Sequence, residues 1–112
     1  MVALTVGMVV LIPFPFSDLS KAKLRPAVVL AYAGKNDWIL CQITSKEYSD
    51  TNSIELNNNC FKNGTLQRIS YARPGKLFTA NSSLISSKAG LLKKEFLRKI
   101  IKKVVDILYK DL

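Results

Sequence analysis

The apolar pattern of this chain changes its period once, and that change constrains the fold more than any other feature. Up to about residue 79 the apolar residues come in short runs, rich in β-branched side chains and broken by Pro and Gly. Residues 6–12 read as a first strand, ended by the PFP at 13–15. PAVVLAY at 26–32 reads as a second strand, GKND at 34–37 as a turn, and WILCQIT at 38–44 as a third strand. The polar stretch SDLSKAKL at 17–24 is a loop. Residues 46–65 are polar and Asn-rich, with one alternating patch at 53–56. Residues 66–71 and 76–79 read as two further short strands, separated by the RPG at 73–75. From Leu92 onward the spacing becomes helical: Leu92, Phe96, Ile100, Ile101, Val104, Val105 and Leu108 share a stripe, with most lysines elsewhere. This predicts one amphipathic helix over 93–110.

Several short strands followed by one helix define a mainly β (α+β) domain, a small barrel or sandwich whose apolar face the helix covers. A length of 112 residues fits a single domain, 1–112. The helix start is poorly capped, because Lys93 and Lys94 stand where a Ser, Thr or Asp cap and acidic side chains are favoured. Packing must hold the helix instead. A basic amphipathic helix could also lie on a membrane, but the strands need something to cover them, so no membrane role is expected. The uncharged first sixteen residues lack a basic leader and a cleavage site, and they contain Pro13 and Pro15. They read as a buried strand and its exit.

The chain has 17 basic and 8 acidic residues, a formal charge of +9. Residues 1–87 hold 9 basic and 5 acidic groups, and residues 88–112 hold 8 and 3. Such an excess suits a polyanionic partner, nucleic acid or an acidic protein segment. The two cysteines, Cys41 and Cys60, make no disulfide framework and fit a reducing cytoplasm. Cys41, within an apolar run, reads as a small buried hydrophobe.

There is no histidine, which removes imidazole acid–base chemistry. The carboxylates Asp18, Asp37, Glu47, Asp50 and Glu55 are scattered singly, which argues against a clustered metal site. Neither metal nor cofactor is implied. What remains is arginine and hydroxyl chemistry. Arg25 stands at a strand entrance with its following backbone fixed by Pro26, a placement that suits phosphate. Thr44 and Ser45 end the third strand with hydroxyls on opposite faces. Ser70, Tyr71 and Arg73 precede a Pro turn. Two arginines, hydroxyls and a stacking ring make a single-stranded RNA site. On composition alone, Arg25 and Arg73 read equally as surface ion-pair partners, Thr44 as a strand former and Tyr71 as barrel wall.

Three segments carry a resemblance. GMVVLIPFPFSD at 7–18, with KLRPAVVL at 23–30, CQITS at 41–45 and SYARPGKLFT at 70–79, are together similar to the PemK/MazF toxin family. The resemblance covers nearly the whole chain, including Gly90 and the final helix. It implies an SH3-like small β-barrel of the CcdB/PemK kind, working as a cytoplasmic homodimer. It implies metal-independent, sequence-specific cleavage of single-stranded RNA, mRNA being the expected target, and neutralisation by a cognate acidic antitoxin. Carried over by position, Arg25 is the catalytic arginine and Thr44 its partner, while Arg73 transfers more loosely. Asp18, in the loop before Arg25, is the candidate base. Lys23, Ser45, Ser70, Tyr71 and Arg73 are expected to bind RNA. Met8 departs from the family's usual Asp after Gly7, which touches strand-end bonding. Two rival readings stay open: a CcdB-like toxin that binds DNA gyrase without catalysis, and an RNA-binding module that does not cut.

Overall fold

Residues 26–30 are the most apolar stretch of the second expected strand, and they dictate where the sheet must lie. Ala27, Val28, Val29 and Leu30 are all buried. A strand apolar on both sides must sit centrally, with each face covered. The computed structural model, which describes residues 3–14, 23–47 and 50–112, places this strand in the middle of a sheet. The described residues form β1 (Met8–Phe14), β2 (Lys23–Gly34), β3 (Asp37–Thr44), β4 (Ile54–Leu56), β5 (Phe61–Gly64), β6 (Ser70–Asn81), β7 (Ser87–Leu92) and α1 (Lys94–Tyr109). The strands pair antiparallel in the order β4-β6-β3-β2-β1-β7-β5 and curl into a half-barrel. The mainly β fold with a C-terminal helix is therefore as expected.

Strand alternation divides the apolar residues between two cores. One side gathers Val9, Val28, Cys41, Ile43, Leu56 and Phe61 beneath Leu97 and Ile100 of α1. The other gathers Met8, Val10, Ile12, Ala27, Val29 and Leu40 with Ile85, and Trp38 packs against it. Tyr32 meets the Trp38 ring edge-on, centroids 4.9 Å apart. The helix differs from the expected 93–110 by one residue at each end. Lys93 holds the N-cap position with extended backbone (φ −64°, ψ 146°) and gives no side-chain cap, as expected. Glu95 is the acidic residue in the first turn.

Other boundaries are corrected. Pro13 does not end the first strand; β1 runs on to Phe14, with Pro13 opposite Leu24. Lys23 and Leu24 lie in β2 rather than in a loop. No strand starts at residue 66, since β6 begins at Ser70. The RPG at 73–75 does not split two strands but bulges within one: between the pairs Cys41↔Leu77 and Ile43↔Ala72, residues 73–76 face Gln42 alone. A bulge tolerates the proline that a regular ladder would not. Leu92 belongs to β7, not to the helix. The strands β5 and β7 were not foreseen. Their pairing depends on Gly64 (φ +67°), where an added Cβ would lie 2.3 Å from the Ala89 carbonyl oxygen.

Candidate active site

The β1–β2 register pairs Ile12 with Arg25 and Leu11 with Pro26. The β2–β3 ladder begins at Ala27↔Gln42, immediately after Pro26, which has no N–H to donate. Continued by two residues, that register sets Arg25 across from Thr44. On the far side of β3, Thr44 pairs with Tyr71 of β6, and Tyr71 pairs in turn with Glu55 of β4. Directly opposed residues in antiparallel strands project to the same face. Thr44, Tyr71 and Glu55 thus form one row across three strands, and Arg25 extends it onto β2 by continuation of the register. Alternation puts the row on the side that carries Ala27 and Leu40, away from α1.

The row is a half-buried ledge. Arg25, Thr44 and Tyr71 are partly exposed, and Glu55 is exposed. Thr44 Oγ1 accepts from the Lys46 backbone N–H at 3.2 Å, which fixes its rotamer and leaves its own proton to donate. Packing around the Tyr71 ring raises its phenol pKa above 10, and the Glu47 and Glu55 carboxylates raise it further. The phenol is therefore held neutral, a donor rather than a base, at neutral pH.

The hydroxyl pairs straddle the sheet. Ser45 and Ser70 line a hollow of about 590 Å³ on the other side, together with Lys23, Pro26 and Arg68. Ser45 is exposed, but Ser70 is only 4% exposed and its hydroxyl donates to the Arg68 carbonyl at 3.1 Å. Arg73 sits apart in the bulge, its Nε 3.2 Å from Asp50 Oδ2. The ion-pair reading of Arg73 thus describes what it does in this structure. The structure pairs Thr44 with Tyr71, sets Arg25 in line with them on β2, and places Lys23, Ser45 and Ser70 at the same strand ends but around the hollow. Asp18 lies outside the described residues.

Sequence reasoning passed over Glu47 and Glu55 as isolated acids. The alternation of residues 53–56 could have placed Glu55 on an outward face, but its strand partner Tyr71 lies far along the chain. No group of three His, Cys, Asp or Glu side chains among the described residues could hold a metal ion. Cys41 is fully buried and burial pushes its thiol up to about 12, so it is inert. Among the described residues no helix is long and apolar enough to cross a membrane.

The family model described as PemK-like, MazF-like toxin of type II toxin-antitoxin system matches residues 5–108. The chain belongs to this family. No curated protein sequence matches it. Solved structures of MazF proteins share the fold at low identity. MazF from Deinococcus radiodurans superposes with a TM-score of 0.75 at 16% identity, covering 96% of this chain and 98% of that one. The MazE-MazF complex from the same organism gives 0.72 at 14%, covering 97% and 98%. An endoribonuclease in complex with its cognate antitoxin, from a mycobacterial species, gives 0.74 at 12%, covering 95% of each chain. The PemK/MazF barrel is thus built here from a sequence that diverges widely from its structural neighbours.

Proposed function

We propose that this toxin is a cytoplasmic, metal-independent endoribonuclease that cuts single-stranded RNA, mRNA being its target, and that it acts as a homodimer held in check by an acidic antitoxin. The observation that carries the reading is the line of Arg25, Thr44 and Tyr71: a permanent cation followed by two neutral hydroxyl donors, half-exposed at the strand ends. The solved endoribonuclease–antitoxin and MazE-MazF complexes on the same fold support it.

The substrate supplies its own nucleophile. The 2′-hydroxyl gives its proton to the base, its oxygen bonds to the adjacent phosphorus, and the P–O5′ bond breaks. The 5′-oxygen takes a proton from water, leaving a 5′-hydroxyl on one fragment and a cyclic 2′,3′-phosphate on the other. Negative charge gathers on the phosphoryl oxygens in the transition state. Arg25 stabilises that charge, and preorganised stabilisation of this kind is often the largest catalytic term. Thr44 and the neutral Tyr71 donate to the same phosphate. Asp18 is assigned the base. DNA, without a 2′-hydroxyl, binds but is not cut.

Incubating the purified protein with single-stranded RNA in EDTA tests this reading. Fragments ending in cyclic phosphate are expected. Intact RNA that is nonetheless bound would make the protein a binding module only, and gyrase inhibition without RNA cleavage would favour the CcdB-like alternative.

A further inference from the structure

A second hollow, of about 490 Å³, opens on the face of the sheet opposite the row, the face that carries Leu56 and Ser70, between the turn that follows β4 and the segment that leads into β6. Its floor is apolar, from the buried Leu56 and Phe61 and the half-buried Leu66. Its rim is polar and planar: the amides of Asn59 and Gln67 and the guanidinium of Arg68. All three are exposed, and none of their side chains makes a hydrogen bond among the described residues. Asn57 and Asn58, by contrast, are committed. The Asn57 Oδ1 accepts from the Asn59 backbone N–H at 2.9 Å, and the Asn58 Oδ1 accepts from the Thr65 hydroxyl. These bonds hold the turn in place and leave the free amides presented at its edge. Among the described residues no carboxylate lines the hollow.

We infer that this hollow takes one unpaired nucleobase of the RNA and that Gln67 and Asn59 read its edge, setting the sequence at which the toxin cuts. The volume lies within the usual range for ligand sites, about 300–1,000 Å³. The chemistry is that of single-stranded RNA recognition: an apolar surface for a base's face and amide groups for its donors and acceptors. Arg68 supplies positive charge for the attached phosphate. The position is right as well. Leu56 pairs with Ser70, next to the Glu55↔Tyr71 pair, so the hollow lies on the opposite face of the same strands that carry the row. Residues 65–68 also wall the hollow that holds Ser45 and Ser70, so the polar surface continues to the strand ends at Thr44. RNA that runs from Arg25 over the strand ends and past Ser45 brings a flanking base to this hollow.

The inference rests on the proposed nuclease reading, and its test separates the two. Cut sites are mapped by sequencing the fragments of a randomised single-stranded RNA for the wild type, Gln67→Ala, Asn59→Ala and Gln67→Glu. In parallel, equilibrium binding is measured to a set of short oligoribonucleotides that differ in one base at a time. Losing a base contact costs about tenfold in discrimination. Gln67→Ala and Asn59→Ala are therefore expected to relax preference about tenfold at one position near the cut, with cleavage of other sequences retained. Gln67→Glu, which turns a donor into an acceptor, is expected to change the base preferred there. A structural role would move neither. Unchanged cut profiles and unchanged base discrimination in all three folded variants would overturn the inference. So would variants that lose only antitoxin affinity, which would make the hollow a protein-binding site. If the wild type binds RNA without cutting, the nuclease reading fails, and the oligoribonucleotide series alone decides the subsite by the same criteria.

Discussion

Thr44 and Tyr71 face each other across β3 and β6, the last paired residues before the strands part. Cross-strand partners of this kind have Cβ atoms about 4.5–5.5 Å apart, close enough for both side chains to reach one phosphate. Removing either donor should slow cleavage while leaving the sheet intact. Thr44→Val keeps the β-branched shape and Tyr71→Phe keeps the ring. A hydrogen bond to a charged oxygen is worth about tenfold or more in rate. Each variant is expected to lose about that much in kcat with an unchanged melting temperature. Full activity in both would return Thr44 to a strand former and Tyr71 to barrel wall.

Because its pKa is raised above the usual 10, the Tyr71 phenol stays protonated through neutral pH and ionises only in strong alkali. Between pH 6 and 9 the ratio of wild-type to Tyr71→Phe rates is therefore expected to be flat. A ratio that falls across this window would mean that the phenol ionises within it, and that the flanking Glu47 and Glu55 do not hold it neutral.

Arg25 is partly exposed on a ledge, so Arg25→Ala should fold. Losing a transition-state stabiliser typically costs about 10²–10³ in rate. Cleavage is expected to fall by that factor at every site alike, without change in sequence preference. A circular dichroism spectrum matching the wild type excludes misfolding as the cause. An active, folded variant would remove Arg25 from the mechanism.

The row was partly legible in the sequence, and the reason is local. Arg25 and Pro26 are adjacent, and Thr44 ends an apolar strand, so both sites announce themselves within a few residues. The outer half of the row depends on long-range pairing. Glu55 joins Tyr71 through a three-residue strand, and β6 continues through RPG only because a bulge absorbs it. The strand β5 has the sequence FKNG, which no propensity would select; it is a strand because β7 pairs with it where Gly64 and Gly90 let the backbones meet. The helix was legible because its period is strong, and its missing cap was readable from Lys93.

That missing cap gives a stability prediction independent of RNA. Lys93 is exposed, and its backbone already has the extended geometry of an N-cap. An Asp there would accept from the first free N–H groups and oppose the helix dipole favourably. Lys93→Asp is expected to stabilise by about 1 kcal/mol. That should raise the melting temperature by about 4 °C for a domain of this size. No gain would mean that the Lys93 side chain already contributes packing that Asp cannot replace.

RNA and antitoxin should compete, and both should weaken with salt. The net +9 attracts polyanions, and each basic group that replaces counterions on single-stranded RNA steepens the salt dependence of binding. An acidic antitoxin segment is drawn to the Arg25 surface by the same field and orders there, occupying the place of the scissile phosphate. The competing possibility is that the helix sets the slope. Lys99, Lys102 and Lys103 cluster with Ile54 around a small hollow beside β4, and Lys99 lies 4.8 Å from the centre of the Phe96 ring. Log–log salt titrations of RNA binding decide between them, using the wild type, Arg25→Ala with Arg73→Ala, and Lys99→Ala with Lys102→Ala. Arg73 is engaged by Asp50 in the free protein, so most of the change in the first pair should come from Arg25. The arginine pair is expected to lower the slope and the helix pair to leave it nearly unchanged. A slope that responds only to the helix pair would move the RNA path from the strand ends to α1, and the row would then have no phosphate to act on.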